Sequence, residues 1–164
     1  MATFEINEIF LIEIRDLVKK QDIIRIKRKL GQAHYADLGE IIEAVSLNEA
    51  TYLVKVLGSD KTADALAEVN PDIREGILEK LSAKEIAKEV LELDTDDAAD
   101  IILELPEERQ EKVMSQITDD EHVSDIRDLL KYEENTAGAL MAKELVKVCL
   151  LYTSPSHETR PYLV

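Results

Sequence analysis

The fold is decided by residues 66–105, which read LAEVNPDIREGILEKLSAKEIAKEVLELDTDDAADIILEL. Apolar residues recur through this stretch every twelve positions, in two columns that lie three residues apart. The columns extend beyond it on both sides, and all sixteen of their members are apolar. The first column is Ile42, Val54, Leu66, Leu78, Val90, Ile102, Met114 and Ile126, and the second is Val45, Leu57, Val69, Leu81, Leu93, Leu105, Ile117 and Leu129. Apolar residues at i and i+3 mark one face of a helix, so the period indicates a repeated helical unit.

The repeat unit has room for one short helix and a turn. Twelve residues accommodate a helix of about eight or nine residues and a short connection. Turn and cap sequences fall where this division predicts them, for example GSD at 58–60, NPD at 70–72 and DTDD at 94–97. Helices of this length are not stable alone. The sequence therefore predicts an all-α fold, a right-handed α-solenoid of short antiparallel helices with a 12-residue period.

The period also divides the chain into segments. Residues 1–31 lack it and predict one or two longer N-terminal helices that end at Gly31, whereas residues 32–131 contain the repeats of the predicted superhelix. The last turn before Gly31 carries four bases, Arg25, Lys27, Arg28 and Lys29. These bases are either a contact patch or a solvated face that complements the C-terminus of a helix.

The charge of the chain is strongly and unevenly negative. The formal net charge is −15, with 34% charged, 45% hydrophobic and 4% aromatic residues. Residues 1–31 carry five acids and seven bases, whereas residues 32–148 carry 29 acids and 12 bases. Such an acidic body disfavours a nucleic acid as partner and is compatible with cations.

The residue patterns of most enzymes and metal sites are missing from the sequence. The single Cys149 excludes an internal disulfide and a cysteine-based zinc site, and the three histidines have no ligand spacing. No glycine-rich phosphate loop and no serine with a positioned His–Asp pair are present, so we do not expect an enzyme. His34 and Asp37 are either two metal ligands or a helix start, and the lack of a third ligand nearby favours the helix start. No apolar run approaches the ~20 residues that cross a bilayer, which argues against direct membrane insertion.

The segment LDTDDAADIILELP at 93–106 concentrates carboxylates ahead of an apolar run. Asp94 and Asp97 are explained by a helix start, where acids complement the positive end of the helix dipole. Asp96 and Asp100, at i and i+4, face away from the core positions and repel each other by a few tenths of a kcal/mol. They form either a solvated acidic face or part of a divalent cation site, and hard Mg²⁺ prefers such oxygen ligands.

The repeat adds a third candidate ligand. Asp64 lies thirty-six residues before Asp100, three repeat units back and in the same outward phase. In the other units this position is occupied by Glu40, Tyr52, Gly76, Lys88, Lys112 and Ser124. Because most units have no acid at this position, the carboxylates of Asp64 and Asp100 are not a general feature of the repeat.

Three segments resemble the cytosolic N-terminal domain of MgtE-type magnesium transporters. They are HYADLGEII at 34–42, LDTDDAADIILELPEE at 93–108 and YEENTAGALMAKELVKV at 132–148. The resemblance covers roughly residues 8–148 and is most specific in the last segment, which is similar to the junction between the family's helical domain and its first CBS domain. The residues that match there are Tyr132, Glu133, Glu134, Thr136, Ala137, Gly138, Leu140 and Met141. In that family the helical domain is a superhelix of short helices.

The resemblance implies a regulatory function. Members of the family are Mg²⁺-selective homodimeric channels, and their cytosolic domains sense intracellular Mg²⁺. Ions bound between the helical domain and the CBS domains stabilise a closed state. The family's ligand carboxylates match Asp96 and Asp100, and Asp64, placed by the turn AEVNPD, matches a third position where the family can carry Glu. The implied partners are the CBS and transmembrane domains of a full-length transporter, at the cytoplasmic face of the cell membrane.

The chain departs from the family after the segment 132–148, which we interpret as the junction and the onset of a CBS domain. Residues 149–164, CLLYTSPSHETRPYLV, change composition abruptly and are expected to be a non-native or disordered tail, or else a terminal linker. We therefore expect that this polypeptide cannot itself conduct ions. The alternative function is that of an armadillo-like protein-interaction solenoid, as in flagellar motor-switch proteins, with no ion role.

Overall fold

A computed structural model describes residues 6–132, and all regular secondary structure in this range is helical. The ten helices of the described range are α1 (Glu8–Lys19), α2 (Ile23–Leu30), α3 (Tyr35–Ala44), α4 (Leu47–Leu57), α5 (Ser59–Glu68), α6 (Pro71–Lys80), α7 (Ala83–Leu91), α8 (Thr95–Leu103), α9 (Glu107–Met114) and α10 (Asp120–Leu129). The predicted all-α fold is confirmed. The predicted junction beyond Tyr132 and the tail at 149–164 lie outside the described residues.

Several helices begin at residues whose side chains satisfy the first backbone N–H groups, among them α6 and α7. In α7 the Ser82 hydroxyl accepts the N–H of Glu85 at 3.3 Å, and the Glu85 carboxylate accepts the N–H of Ser82 at 2.7 Å. Before α6 the Asn70 side chain accepts the N–H of Asp72 at 3.0 Å, and Pro71 opens the helix. Each cap of this kind contributes about 1 kcal/mol, which matters for helices of only two or three turns.

Most helices of the repeat region pack against the helix two places further along the chain. Contacts join α3 with α5, α5 with α7 and α7 with α9, and likewise α4 with α6 and α8 with α10. The segment before the repeats forms α1 and α2, which pack against each other and against α4. This pattern is compatible with the predicted stack of repeats.

The two apolar columns form the core of this stack. All members of both columns are buried except Val45, which is partly buried. Burying one such side chain stabilises the fold by roughly 1.5–3 kcal/mol. The core is therefore one continuous cluster that runs from α1 to α10. No helix within residues 6–132 is long and apolar enough to cross a membrane.

Cationic or imidazole side chains from neighbouring helices cover the C-termini of several helices. These side chains are Arg15 for α3, Arg74 for α5, Arg109 for α6 and His122 for α7. Arg109 donates to the Leu81 carbonyl at 2.8 Å, and Nε2 of His122 donates to the Val90 carbonyl at 3.1 Å. Such contacts satisfy carbonyls that lack an intrahelical partner and complement the negative end of the helix dipole.

Candidate functional site

Helix α8 presents the candidate carboxylates on the side opposite its core residues. Asp94 is the N-cap of α8, and Asp96 and Asp97 lie in its first turn. Asp100 follows one turn after Asp96 and is exposed, as is Asp97, whereas Asp96 is half-buried. The opposite side of the helix, which includes Ile101, is buried in the core. The predicted pair Asp96 and Asp100 therefore shares one accessible face.

The carboxylates of this face act on one another electrostatically. Although Asp97 is exposed, the protein around it displaces part of its water, which raises its pKa, and the like charges of Asp96, Asp100, Asp94 and Glu68 raise it further. Glu68 is the last residue of α5, so the face includes a charge from a second helix. At neutral pH these groups repel, and a bound cation would relieve that repulsion.

Arg74 borders the acidic face without neutralising it. Its Nε donates to a Glu104 carboxylate oxygen at 2.8 Å, and its Nη1 donates to the Ala67 carbonyl at 2.6 Å. The hydrogen bond with Glu104 raises the pKa of Arg74 against the effect of burial, and the charges of Asp100 and Asp97 also raise it. The guanidinium thus donates its hydrogen bonds to Glu104 and to the end of α5. It attracts the carboxylates of Asp97 and Asp100 only through longer-range electrostatic interaction.

The third predicted residue does not form a metal-holding group with the other two among the described residues. Asp64 is exposed on α5, one turn before Glu68, and within residues 6–132 its side chain makes no hydrogen bond or ion pair. In the described part of the chain, no group of three His, Cys, Asp or Glu side chains lies close enough to hold a metal ion. The oxygen donors therefore suit Mg²⁺ chemically, but the described residues do not form a complete ligand set.

Comparisons with known proteins assign the chain to a family. The family model of the MgtE intracellular N domain matches residues 33–135. The chain belongs to this family. A solved structure titled "Crystal structure of the soluble part of a magnesium transporter" has a similar fold, with a TM-score of 0.71 and 23% sequence identity. The match covers 83% of this chain but only 54% of that chain, and no curated protein matches the sequence.

His34 and Asp37 lie at the start of α3 in this MgtE N domain, which decides between metal ligands and a helix start. His34 is the N-cap, and its Nδ1 accepts the N–H of Ala36 at 3.3 Å. Asp37 lies in the first turn of α3. The interpretation of this pair as a helix start is confirmed.

Sequence reasoning missed two residues that contribute to the acidic face of the MgtE domain. Asp97 was explained fully by the helix start. The negative charges of four neighbouring carboxylates nevertheless all raise its pKa. Glu68 was not considered, although it follows Asp64 at i+4 and so shares its side of α5. A search of each candidate helix for a second acid one turn away would have found Glu68.

Sequence reasoning also missed a buried carboxylate, Glu89 of α7. It is 5% exposed, and burial raises its pKa to about 7. Its sequence position carried a signal, because it immediately precedes Val90 of the first apolar column. The corresponding residues of the other units are mostly apolar, namely Ile41, Leu53, Ala65, Ile77, Ile101, Val113 and Asp125.

Proposed function

We propose that this chain is the Mg²⁺-sensing regulatory domain of a magnesium transporter, on the cytoplasmic side of the membrane. In this proposal Asp96, Asp100 and Asp64 bind hydrated Mg²⁺ and thereby favour a closed state of the transporter. The observation that carries the proposal is the crowded acidic face of α8 in a chain of the MgtE N-domain family. The structural neighbour, described as the soluble part of a magnesium transporter, supports the transporter context.

The chemistry of the face suits a hydrated hard cation. Mg²⁺ takes oxygen ligands and usually keeps several waters, so one or two carboxylates from each element are enough. In this proposal Asp96, Asp100 and Asp64 supply such a partial set. The remaining ligands would come from a second surface, for which we propose the CBS domains of a longer chain. That chain would also contain the transmembrane domain and would act as a homodimer.

Shared ligation explains how an ion would select a state. Mg²⁺ shifts a conformational equilibrium only by the difference in its affinity for the two states. An arrangement that brings the α8 face against a second acidic surface has a high electrostatic cost without an ion. With Mg²⁺ between the surfaces this repulsion becomes attraction, so rising Mg²⁺ favours the compact, closed arrangement.

A protein-interaction role without an ion is the second candidate function. Helices α1 and α2 leave large apolar side chains exposed, with Ile9 at 78% and Ile24 at 80%. Exposed isoleucines beside the basic residues of α2 are typical of a protein-binding surface. A chain with this function alone would show no specific response to Mg²⁺.

The test is a titration of the ¹⁵N-labelled chain with MgCl₂, followed by amide chemical shifts at constant ionic strength. The wild type is expected to show weak, saturable shifts centred on α8. The double variant Asp96→Asn with Asp100→Asn is expected to lose them. Glu107→Gln with Glu111→Gln is the matched control, because it removes another exposed i, i+4 acidic pair. Equal shifts in both double variants would refute the assignment and favour the protein-interaction role.

The contribution of α5 is tested separately. We expect Asp64→Asn to weaken the Mg²⁺ response of α8, because the proposal makes Asp64 the third ligand-bearing residue. Glu68→Gln is the comparison, since Glu68 is the α5 charge that acts on Asp97. A response that is lost in Glu68→Gln and kept in Asp64→Asn would transfer the role from Asp64 to Glu68.

A further inference from the structure

A buried carboxylate and a hydroxyl join α7 to α5 at a distance from the acidic face. Glu89 of α7 is 5% exposed, and Thr62 of α5 is fully buried. Thr62 Oγ1 lies 2.9 and 3.1 Å from the two carboxyl oxygens of Glu89, and 3.0 Å from the Gly58 carbonyl oxygen. We propose that Glu89 and Thr62 form a proton-operated latch between α7 and α5, closed when Glu89 is neutral and weakened when it ionises.

The number of hydrogens at this contact supports the neutral form. The Thr62 hydroxyl has one hydrogen but lies within reach of three acceptor oxygens. If Glu89 is ionised, Thr62 satisfies one of the three. If Glu89 is protonated, its own O–H donates to Thr62 Oγ1, and Thr62 is then free to donate to Gly58. The protonated form therefore adds a hydrogen bond where the ionised form leaves a buried carboxylate with a single donor.

The charges around Glu89 also oppose its ionisation. Burial raises the pKa of Glu89 to about 7, and the charges of Glu92, Asp60 and Glu85 contribute in the same direction. A half-open cavity of about 290 Å³ adjoins Glu89 and is also lined by Lys55 of α4 and Lys88 of α7. Neither lysine pairs with Glu89 in the described residues.

The charged side chains of α8, α9 and α10 near α7 interact with groups other than Glu89. Arg109 of α9 donates to the Leu81 carbonyl, and His122 of α10 donates to the Val90 carbonyl. The carboxylates of α8 act on Asp97 and Arg74. Among residues 6–132, therefore, no cationic side chain pairs with Glu89, and the latch responds to protons near neutral pH.

The latch lies where it can influence the relative position of the candidate Mg²⁺ ligands. α5 carries Asp64 and Glu68, and α7 leads directly into α8, so the latch joins the two parts of the chain that bear the candidate ligands. A change in the α5–α7 contact would change how these parts are held. The latch itself does not depend on Mg²⁺ binding, so it is tested without the ion.

The first experiment measures the titration of Glu89 directly. Side-chain carboxyl carbons of ¹³C-glutamate-labelled chain are followed by NMR from pH 4 to 9 without Mg²⁺, and Glu89→Gln identifies the resonance. A midpoint near 7 is expected. Thr62→Val is expected to move it lower, because the protonated form loses the hydroxyl that accepts its O–H, and a higher midpoint would show that Thr62 favours the ionised form and would overturn the latch. A midpoint in the ordinary range, near 4.5, would overturn the latch.

The second experiment measures the effect on stability. The folded pKa of Glu89 lies above its unfolded value, so its stabilising effect is complete below about pH 4.5 and is lost as pH rises through 7. The urea midpoint of the wild type should therefore fall relative to that of Glu89→Gln between pH 5 and 8. The exposed Glu111→Gln is the control and should follow the wild type. If Glu89→Gln also follows the wild type, the latch is refuted, and if this variant does not fold, the carboxyl titration of the wild type and of Thr62→Val decides.

Discussion

Arg74 of α6 and Glu104 at the end of α8 form a bidentate ion pair that also reaches α5. Arg74 is 8% exposed, and its Nη1 donates to the carbonyls of Leu66 and Ala67 at 3.2 and 2.6 Å. One guanidinium therefore links three helices, α5, α6 and α8. Removing it would leave a partly buried carboxylate and the end of α5 without their donor.

We predict that Arg74→Met destabilises the domain by about 3–5 kcal/mol, the usual cost of breaking a buried pair. Urea unfolding at neutral pH measures this loss. Lys112→Met is the matched control, since Lys112 pairs with Glu108 at 2.8 Å on the exposed side of α9. Its cost should be far smaller, because solvent screens an exposed i, i+4 pair. Similar losses in the two variants would contradict the structural role of Arg74.

The position of Arg74 shows how far the twelve-residue period predicts the fold. The period identified the core columns and placed helices at nearly the correct residues. Four residues before the first column lies another inward-facing column, which is buried except for the half-buried Gln110 and His122, and whose members are Leu38, Ala50, Thr62, Arg74, Ile86, Ala98, Gln110 and His122. Its polar members all donate to or contact backbone carbonyls. The repeat thus contained the signal for their burial, but not the identity of their partners, which depends on how successive helices stack.

Gly58 occupies a backbone conformation that other residues avoid. Its φ of 92° places it in the left-handed half of the map, at the sharp turn between α4 and α5. We predict that Gly58→Ala costs about 1–3 kcal/mol, because an L side chain is strained there. Thermal or urea unfolding measures the change.

Gly39 in α3 is the control for this strain. A Cβ added there would meet the Ala65 carbonyl at 3.6 Å, an ordinary contact, and the backbone of Gly39 is helical. Gly39→Ala should therefore be neutral or stabilise by up to ~1 kcal/mol through helix propensity. A loss equal to that of Gly58→Ala would show that added volume, rather than φ, determines both effects.

The start of α7 provides a prediction about pH. Hydrogen bonds from the backbone N–H and hydroxyl of Ser82 lower the pKa of Glu85 against the effect of burial, and Lys55 lowers it further. Because the folded pKa is below the unfolded one, this contribution is present above about pH 4.5 and is lost as pH falls through the folded value. Ser82→Ala should cost about 1 kcal/mol at neutral pH and raise the pKa of Glu85 measured by NMR.

Ser124→Ala is the control for this cap. Ser124 is exposed within α10, so its replacement should change the free energy of unfolding by no more than ~0.5 kcal/mol. It should also leave the titration of Glu85 unchanged. An unaltered Glu85 titration in Ser82→Ala would mean that the serine hydroxyl does not stabilise the carboxylate.

The candidate site was predictable only in part. Its α8 residues follow from the periodicity of one helix, whereas its α5 residue depends on how two helices pack. Helical periodicity is enough to put Asp96 and Asp100 on one outward face of α8. Which residue of α5 approaches that face depends on the rotation between successive helices, which the sequence does not specify. The structure accordingly makes Glu68 the α5 charge that acts on Asp97, whereas equivalence within the repeat pointed to Asp64.

Asp97 provides a test of the repulsion on which the proposed ion binding depends. Partial desolvation and four like charges raise its pKa above the unfolded value. Ionised Asp97 therefore destabilises the folded state, and this loss of stability appears as pH rises through the folded pKa. Without Mg²⁺, Asp97→Asn should increase the free energy of unfolding at pH 7 by a few tenths of a kcal/mol and leave it unchanged at pH 3. Added MgCl₂ should stabilise the wild type more than the variant, because a bound ion already offsets the same repulsion.

Asp72→Asn is the control with the opposite expected sign. Asp72 is exposed in the first turn of α6, where its charge complements the helix dipole. Its replacement should therefore lower the free energy of unfolding by a few tenths of a kcal/mol at low salt and leave the effect of MgCl₂ unchanged. If Asp97→Asn destabilises in the same way, Asp97 acts as a helix-start acid and the α8 face does not store the repulsion that Mg²⁺ is proposed to relieve.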